Sequence, residues 1–465
     1  MIQTPRRAFF SNAVCRVAGL ALAASLAAHA ALAEGDRRAV TEPLLPAQLC
    51  ATLPAPGEAQ AGAEPDAATD TARLQAAIDA CPAGKAVKLV AGSAGGRFVS
   101  GPLTLRSGVT LWLDRGVVLA AVADPKAYDR GQGLCGRIDA KGQGCRPFLL
   151  FSQTQGAGLV GDGVIDGQGG AAMAGGSETW WQLARRAQRE GGKQNIPRLI
   201  QVDHGADLVF YRVTLKNSPN FHILLNGVKG ATLWGVRIDT PADARNTDGI
   251  DPAGSEDVTI AHSFVRTGDD NIAIKAGSAP TRHVSLIDDH FYWGHGLSIG
   301  SETLAGVSDV LVRDVTIDGA TSGLRIKSDV SRGGLVSNIR YENVCLRGNR
   351  RPIDFDTHYD EKAQGTAIPV YRDILLRAVA GGTGTLVLRG YDAAHPLDVR
   401  FEGVRFDPAV DWQVENAQIA AAPGGLLPPP PVALSPLMPK PMAVTGEQPS
   451  APDCAARWVA FPATR

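Results

Sequence analysis

The chain has 465 residues, 44% of them hydrophobic and 20% charged, with 46 Lys and Arg against 47 Asp and Glu for a formal charge of −1. So even a balance leaves no global basic field to recruit a polyanion, and nucleic acid is not an expected partner. An acidic ligand would have to be held by local cations.

Residues 1–33 carry Arg6, Arg7 and Arg16 but no acid, then an Ala and Leu run that ends in Ala31-Leu32-Ala33 before Glu34. This pattern predicts an export signal, too short in its apolar part for a membrane span. Pro5-Arg6-Arg7-Ala8-Phe9-Phe10 fits the twin-arginine type. The expected destination is the periplasm or the outside of the cell, with no membrane attachment once the signal is gone. Its removal takes three Arg and no acid, leaving a charge of about −4. Cys15 goes with it, and Cys50, Cys81, Cys135, Cys145, Cys345 and Cys454 remain. An even count in an exported chain favours disulfides over a metal site, so no metal and no cofactor are expected. Cys135 with Cys145 is the one pairing the sequence singles out, because the short Gly-rich loop between them can close on itself.

Residues 34–69, rich in Ala, Pro and Gly, read as a loose leader. Asp70 then sits where it could cap a helix whose Leu74, Ala77, Ile78 and Cys81 fall on one face, a plug for the open end of a β structure. From Lys88 the period changes to alternation, as in Val109-Thr110-Leu111-Trp112-Leu113. Similar strand pairs recur roughly 23 to 35 residues apart, at Leu208-Val209-Phe210, Thr232-Leu233, Val258-Thr259-Ile260, Val284-Ser285-Leu286, Val310-Leu311-Val312 and onward to Val404-Arg405-Phe406. A propeller blade would need four strands per unit, and these units have two or three. The predicted fold is therefore all-β: a single-stranded right-handed parallel β-helix over residues 70–410, with a short N-terminal capping helix. Residues 411–465 form a Pro-rich tail in which Pro428-Pro429-Pro430-Pro431 cannot continue the ladder, and Cys454 predicts that the last residues return to the body.

Four polar islands interrupt the alternation: Asn246-Thr247-Asp248-Gly249, Gly268-Asp269-Asp270-Asn271, Gly294-His295-Gly296 and Arg325-Ile326-Lys327. Taken singly, each reads as an ordinary turn or a solvated strand face. Together they lie about one coil apart, so all four can share one strip of surface, stacked at the inter-strand spacing of about 4.8 Å. Three carboxylates, a histidine and two cations are what acid/base cleavage of an acidic polymer requires. Crowded carboxylates raise one another's proton affinity, which would keep one of them protonated as a donor. In a regular strand Asp269 and Asp270 would face opposite ways, so both reaching one groove predicts a bend at Gly268.

In this order and spacing the islands resemble the signature of glycoside hydrolase family 28, the polygalacturonases. The likeness extends through Gly161-Asp162-Gly163, Asn217-Ser218-Pro219-Asn220-Phe221-His222 and Ser298-Ile299-Gly300-Ser301-Glu302, and is greatest to bacterial endo-acting members. The resemblance implies a pectin-lyase-like solenoid acting as a monomer, and hydrolysis of the α-1,4 bonds of polygalacturonate with inversion. It implies Asp269 as general acid, Asp248 and Asp270 holding the attacking water, and His295 supporting the protonation state. Arg325, Lys327 and Tyr359 would bind a uronate carboxylate; Asn246 reads first as a turn former and then as a sugar or water ligand. Two rival readings remain, a calcium-dependent lyase using the Asp cluster as ligands and a non-catalytic carbohydrate-binding β-helix. Endo against exo action stays open at this point.

Overall fold

The alternation in the sequence is an alternation of burial. In Val109–Leu113 the first, third and fifth residues are buried and Thr110 and Trp112 half-exposed, as the two faces of a strand require. The computed structural model describes residues 35–56, 67–93, 95–435 and 449–463, and the expected signal segment 1–33 lies outside them. Within them the chain is a right-handed parallel β-helix. One sheet of eleven parallel strands runs from Leu103–Leu105 to Asp411–Glu415, and a ladder of 22 strands wraps the remaining faces. The coils are held by aliphatic columns. Leu149, Ile200, Ile223, Ile250, Ile272, Leu297, Leu324 and Ile353 pair in succession, all at 0 or 1% exposure. Each such side chain contributes about 1.5–3 kcal/mol when buried, and a lone coil could bury none of them fully.

The helix Ala67–Ala80 closes the N-terminal end. Leu74 and Ile78 are fully buried and the helix packs on the strands Arg97–Ser100 and Leu103–Leu105. Asp70 is not its cap. It lies in the first turn, buried, accepting a bond from the Val99 amide (3.2 Å) and another from Arg73 (2.8 Å), so it ties the plug to the first coil.

Residues 35–56 of the leader are more ordered than its composition predicts. The Asp36 amide donates to Ser285 Oγ at 2.8 Å, Arg37 Nε to Asp257 at 2.9 Å and Arg38 to the Ala231 carbonyl at 2.8 Å; the Tyr211 hydroxyl donates to Glu42 at 2.7 Å. Charged residues among the alanines thus strap this segment across four coils. It then becomes the strand Leu49–Pro54, parallel to Lys85–Val90. At the other end Asp411–Glu415, Ala417–Ala421 and Leu426–Leu427 add to the sheets, with Trp412 and Val414 packed on the core. The coiled body therefore exceeds the expected 70–410 on both sides. Pro428 to Pro431 add no strand, although Ser435 beyond them bridges Ala420. The Pro436, Pro439 and Pro441 part of the tail lies outside the described residues.

The predicted Cys135–Cys145 disulfide is present, joined by Cys50–Cys81 and Cys345–Cys454. The last spans 109 residues and brings the final segment back as expected. Arg457 bonds the Asn343 carbonyl at 2.6 Å, and Phe461 stacks edge-on against Tyr292 with centroids 5.3 Å apart. Replacing Cys345 and Cys454 together by Ser should cost about 2–4 kcal/mol of stability, since a long loop loses the most closure entropy. A melting temperature within a degree of wild type would show that these contacts hold the tail without the bridge.

Candidate active site

The register of the eleven-stranded sheet brings the islands together. Ile250 pairs with Ile272, and Ile272 with Leu297; Asp248, Asp270 and His295 each stand two residues before a member of that column. They therefore stack on successive coils at the same strand ends. Further along, Arg325 pairs with Ser298 and Lys327 with Gly300. Gly-His-Gly owes its glycines to backbone shape and space: at Gly296 φ is +82° and a Cβ would sit 2.0 Å from the Ser322 carbonyl oxygen.

Asp269 is turned into the groove by the bend predicted at Gly268, where both residues lie off the regular strand. A Cβ at Gly268 would meet the Ala244 carbonyl oxygen at 2.0 Å, so only glycine permits this close pass. His295 Nδ1 lies 3.0 Å from Asp269 Oδ1, which also accepts the Asp270 amide at 3.0 Å. Oδ2 accepts the Asn246 amide at 3.2 Å and its side chain at 3.4 Å. Asn246 is the turn former expected, a left-handed residue with φ 57°, and its side chain faces Asp269. Burial pushes the Asp269 carboxyl up, but the bond and charge of His295, then Lys327, outweigh it, and the group is held well below the usual carboxylate range.

Asp248 is the opposite case. It is 4% exposed, and burial raises its proton affinity well above normal; Lys275 works against this, while Asp251, Asp269 and Asp270 add to it. Burial first, and the neighbouring carboxylates after it, thus favour the protonated form at Asp248, whereas the partners of Asp269 favour its anion. Lys275 Nζ lies 3.1 Å from Asp248 Oδ2 and 2.8 Å from Asp251 Oδ2. Burial, resisted by Lys275, pushes Asp251 up to about 6. The sequence pattern passed over Lys275 and Asp251, although a lysine closing the apolar run Ile272-Ala273-Ile274 was their visible signal.

Asp270 is spoken for on both oxygens: Ser298 Oγ donates to Oδ1 at 2.8 Å and Lys327 Nζ to Oδ2 at 2.7 Å. Arg325 bridges Asp270 (3.7 Å) and Asp354 (3.3 Å). Tyr359, 43% exposed, stands with its ring centre 5.3 Å from both the Arg325 guanidinium and the Lys327 ammonium, beside the two cations with which the sequence grouped it. Ligand atoms of Asp269, Asp270 and His295 lie within 4.8 Å of one another. A divalent cation there would have to displace Lys327 from Asp270 and His295 from Asp269, so the donor set is better matched to its internal cations than to calcium.

His222 is a packing residue: buried, with Nε2 at 2.7 Å from Thr240 Oγ1, its pKa lowered to about 4 by burial. From Asn246 a groove runs over the earlier coils, lined by Arg245, Lys193, Arg198 and Asn220, and continues past Arg130 and Lys141 as a hollow of about 470 Å³. Arg198 Nε is buried there without a hydrogen-bond partner.

The sequence matches the family described as glycosyl hydrolases family 28 over residues 81–423. It is 43% identical to an endo-polygalacturonase of Pectobacterium carotovorum subsp. carotovorum over 387 residues, covering 83% of this chain and 93% of that one. A polygalacturonase of Ralstonia solanacearum is 41% identical over 424 residues, covering 79% and 80%. Among solved structures, the polygalacturonase from Erwinia carotovora ssp. carotovora superposes with a TM-score of 0.78 at 42% identity, covering 83% of this chain and all of that one.

Proposed function

The chain belongs to family 28 of the glycosyl hydrolases, and from that premise we propose that it hydrolyses α-1,4-galacturonosidic bonds within polygalacturonate chains, inverting the anomeric carbon. The observation that supports this most is the convergence of Asp248, Asp269, Asp270 and His295 on three successive strand ends, with Arg325 and Lys327 beside them. In this reading Asp269 gives its proton to the glycosidic oxygen as that bond breaks. A water held by Asp248 and Asp270 attacks C1 from the other face and yields a proton to the carboxylate behind it. His295 governs the charge on Asp269, and Arg325, Lys327 and Tyr359 receive a uronate.

Asp269 is held low in the free site by His295 and Lys327, so a donor role needs its pKa to rise on binding. A uronate beside Lys327 supplies that rise by partly cancelling the lysine's charge and adding its own. The cation-lined groove over the earlier coils supports internal cleavage, because it offers several more sugars a place to bind. The site is assembled from one chain, consistent with a monomer, and three disulfides favour an oxidising destination outside the cytoplasm; the paired Arg6 and Arg7 leave both the general and the twin-arginine export routes open.

Sizing the early products from polygalacturonate tests the proposal. A fast fall in viscosity with mixed oligomers, and NMR showing the inverted anomer first, are expected. Monomer or dimer alone would replace endo by exo action, while a retained anomer, or unsaturated product abolished by chelator, would overturn the mechanism.

A further inference from the structure

Resting on the reading of Asp248 as a water-holding base, we propose that Lys275 and Asp251 are paired positioning residues for it. Lys275 anchors Asp248 by Oδ2 and keeps it able to accept the water's proton, and Asp251 opposes Lys275 by competing for the same ammonium.

The geometry isolates this trio. Asp251 is fully buried and Asp248 nearly so; their Oδ2 atoms share one ammonium at 2.8 and 3.1 Å. Phe221 covers that ammonium, its ring centre 4.2 Å from Nζ. Asp248 Oδ1 and Asp251 Oδ1 are buried with no hydrogen-bond partner among the described residues, so each carboxylate is fastened by its Oδ2 alone. Fastening neighbouring coils does not explain such a trio: the apolar column Ile223, Ile250, Ile272 already does so, and a buried ion pair adds little stability over packed hydrocarbon. One ammonium cannot neutralise two carboxylates, so the two compete for its charge and their titrations are linked.

The other charges around Asp248 come from every packed coil. Asp269 and Asp270 lie on the next coil; Arg198 acts from an earlier one, while Glu302 acts on Lys275. His222 sits against the Asp248 carbonyl and is neutral. Of these, Lys275 alone touches the Asp248 carboxylate. In the reaction, water's oxygen bonds C1 as its proton passes to Asp248, and Asp269's proton passes to the leaving oxygen. Asp248 must therefore be anionic at the start, and activity rises as pH climbs through its titration.

The signs for the two partners are opposite, which a merely structural role would not produce. Lys275→Met should move the acidic limb of kcat, which reports the complex in which a bound uronate has raised Asp269, upward by about one pH unit, and Asp251→Asn should move it downward by a similar amount. Lys275→Arg should return it most of the way to wild type. Circular dichroism and melting curves establish folding first. If Lys275→Met does not fold, Asp251→Asn and the neutral pair Lys275→Met/Asp251→Asn carry the test, and the limb of the double variant should lie above that of Asp251→Asn. Limbs that stay at the wild-type pH, move together or coincide in that pair overturn the inference. Asp248→Asn separates its failure from that of the underlying reading: turnover retained there removes the base itself, whereas turnover lost there with unmoved limbs removes only the role of Lys275 and Asp251.

Discussion

Asp269→Asn should lower kcat on polygalacturonate by on the order of 10²-fold or more, with little change in KM and no loss of fold. The amide is isosteric, and its carbonyl can still accept from His295 Nδ1 and the Asp270 amide, the contacts made by Oδ1. What disappears is the proton for the leaving oxygen. Wild-type turnover in the folded variant would sink the assignment. The pH profile adds a second reading. Donor activity is lost as pH rises through the donor's pKa. In the free enzyme that pKa is held low by His295 and Lys327, and in the complex a uronate raises it. The break that reports the donor should therefore lie at higher pH in kcat than in kcat/KM, and coincident breaks would mean that substrate charge does not reach Asp269.

The second large effect separates two cations that the sequence treats alike. Arg325→Ala should narrow the preference for polygalacturonate over highly esterified pectin by about tenfold to a hundredfold, the worth of one charge-assisted hydrogen bond of about 1.5–3 kcal/mol. A methyl ester removes the charge that the guanidinium would meet. Lys327→Ala should instead depress kcat/KM on both substrates by about 10²-fold or more. Its ammonium is 2.7 Å from Asp270 with side-chain exposures of 8% and 2%, and removing one partner of such a buried pair costs about 3–5 kcal/mol, part of it felt as a misplaced Asp270. Measuring kcat/KM on both substrates for each variant decides the matter. An unchanged ratio in Arg325→Ala would move uronate recognition elsewhere in the groove, and an equal fall in ratio for both variants would make the two cations equivalent after all.

Much of this site was legible because the β-helix converts sequence spacing into height. Once Ile250, Ile272 and Leu297 are recognised as one column, the islands must stack, and the bend at Gly268 follows from two adjacent aspartates sharing a groove. Spacing alone does not report which charges a buried group must answer to. The raised proton affinity of Asp248 and the lowered one of Asp269 depend on burial and on Lys275 and His295, all of them contacts between coils. Two other features lay beneath the repeat signal. The helix Trp180–Glu190 carries its own punctuation, a Thr179 and Gln182 capping box and a left-handed Gly191, yet it interrupts a β pattern that draws attention away from it. The leader's order comes from individual ion pairs at Arg37 and Arg38, which composition averages away.

That leader also changes how the molecule should come apart. A solenoid whose coils meet only their neighbours behaves as a one-dimensional Ising chain, free to fray from either end or to open in the middle at the loss of two interfaces. The segment from Asp36 to Glu42 spans Ser285, Asp257, Ala231 and Tyr211, adding couplings between coils that are not adjacent. A fluctuation that lifts any one of these coils must then strain the ties of the others. The central coils, which include those bearing Asp248 and Asp269, are thereby recruited into a single cooperative block, and their strand ends gain a rigidity that nearest-neighbour stacking would not supply.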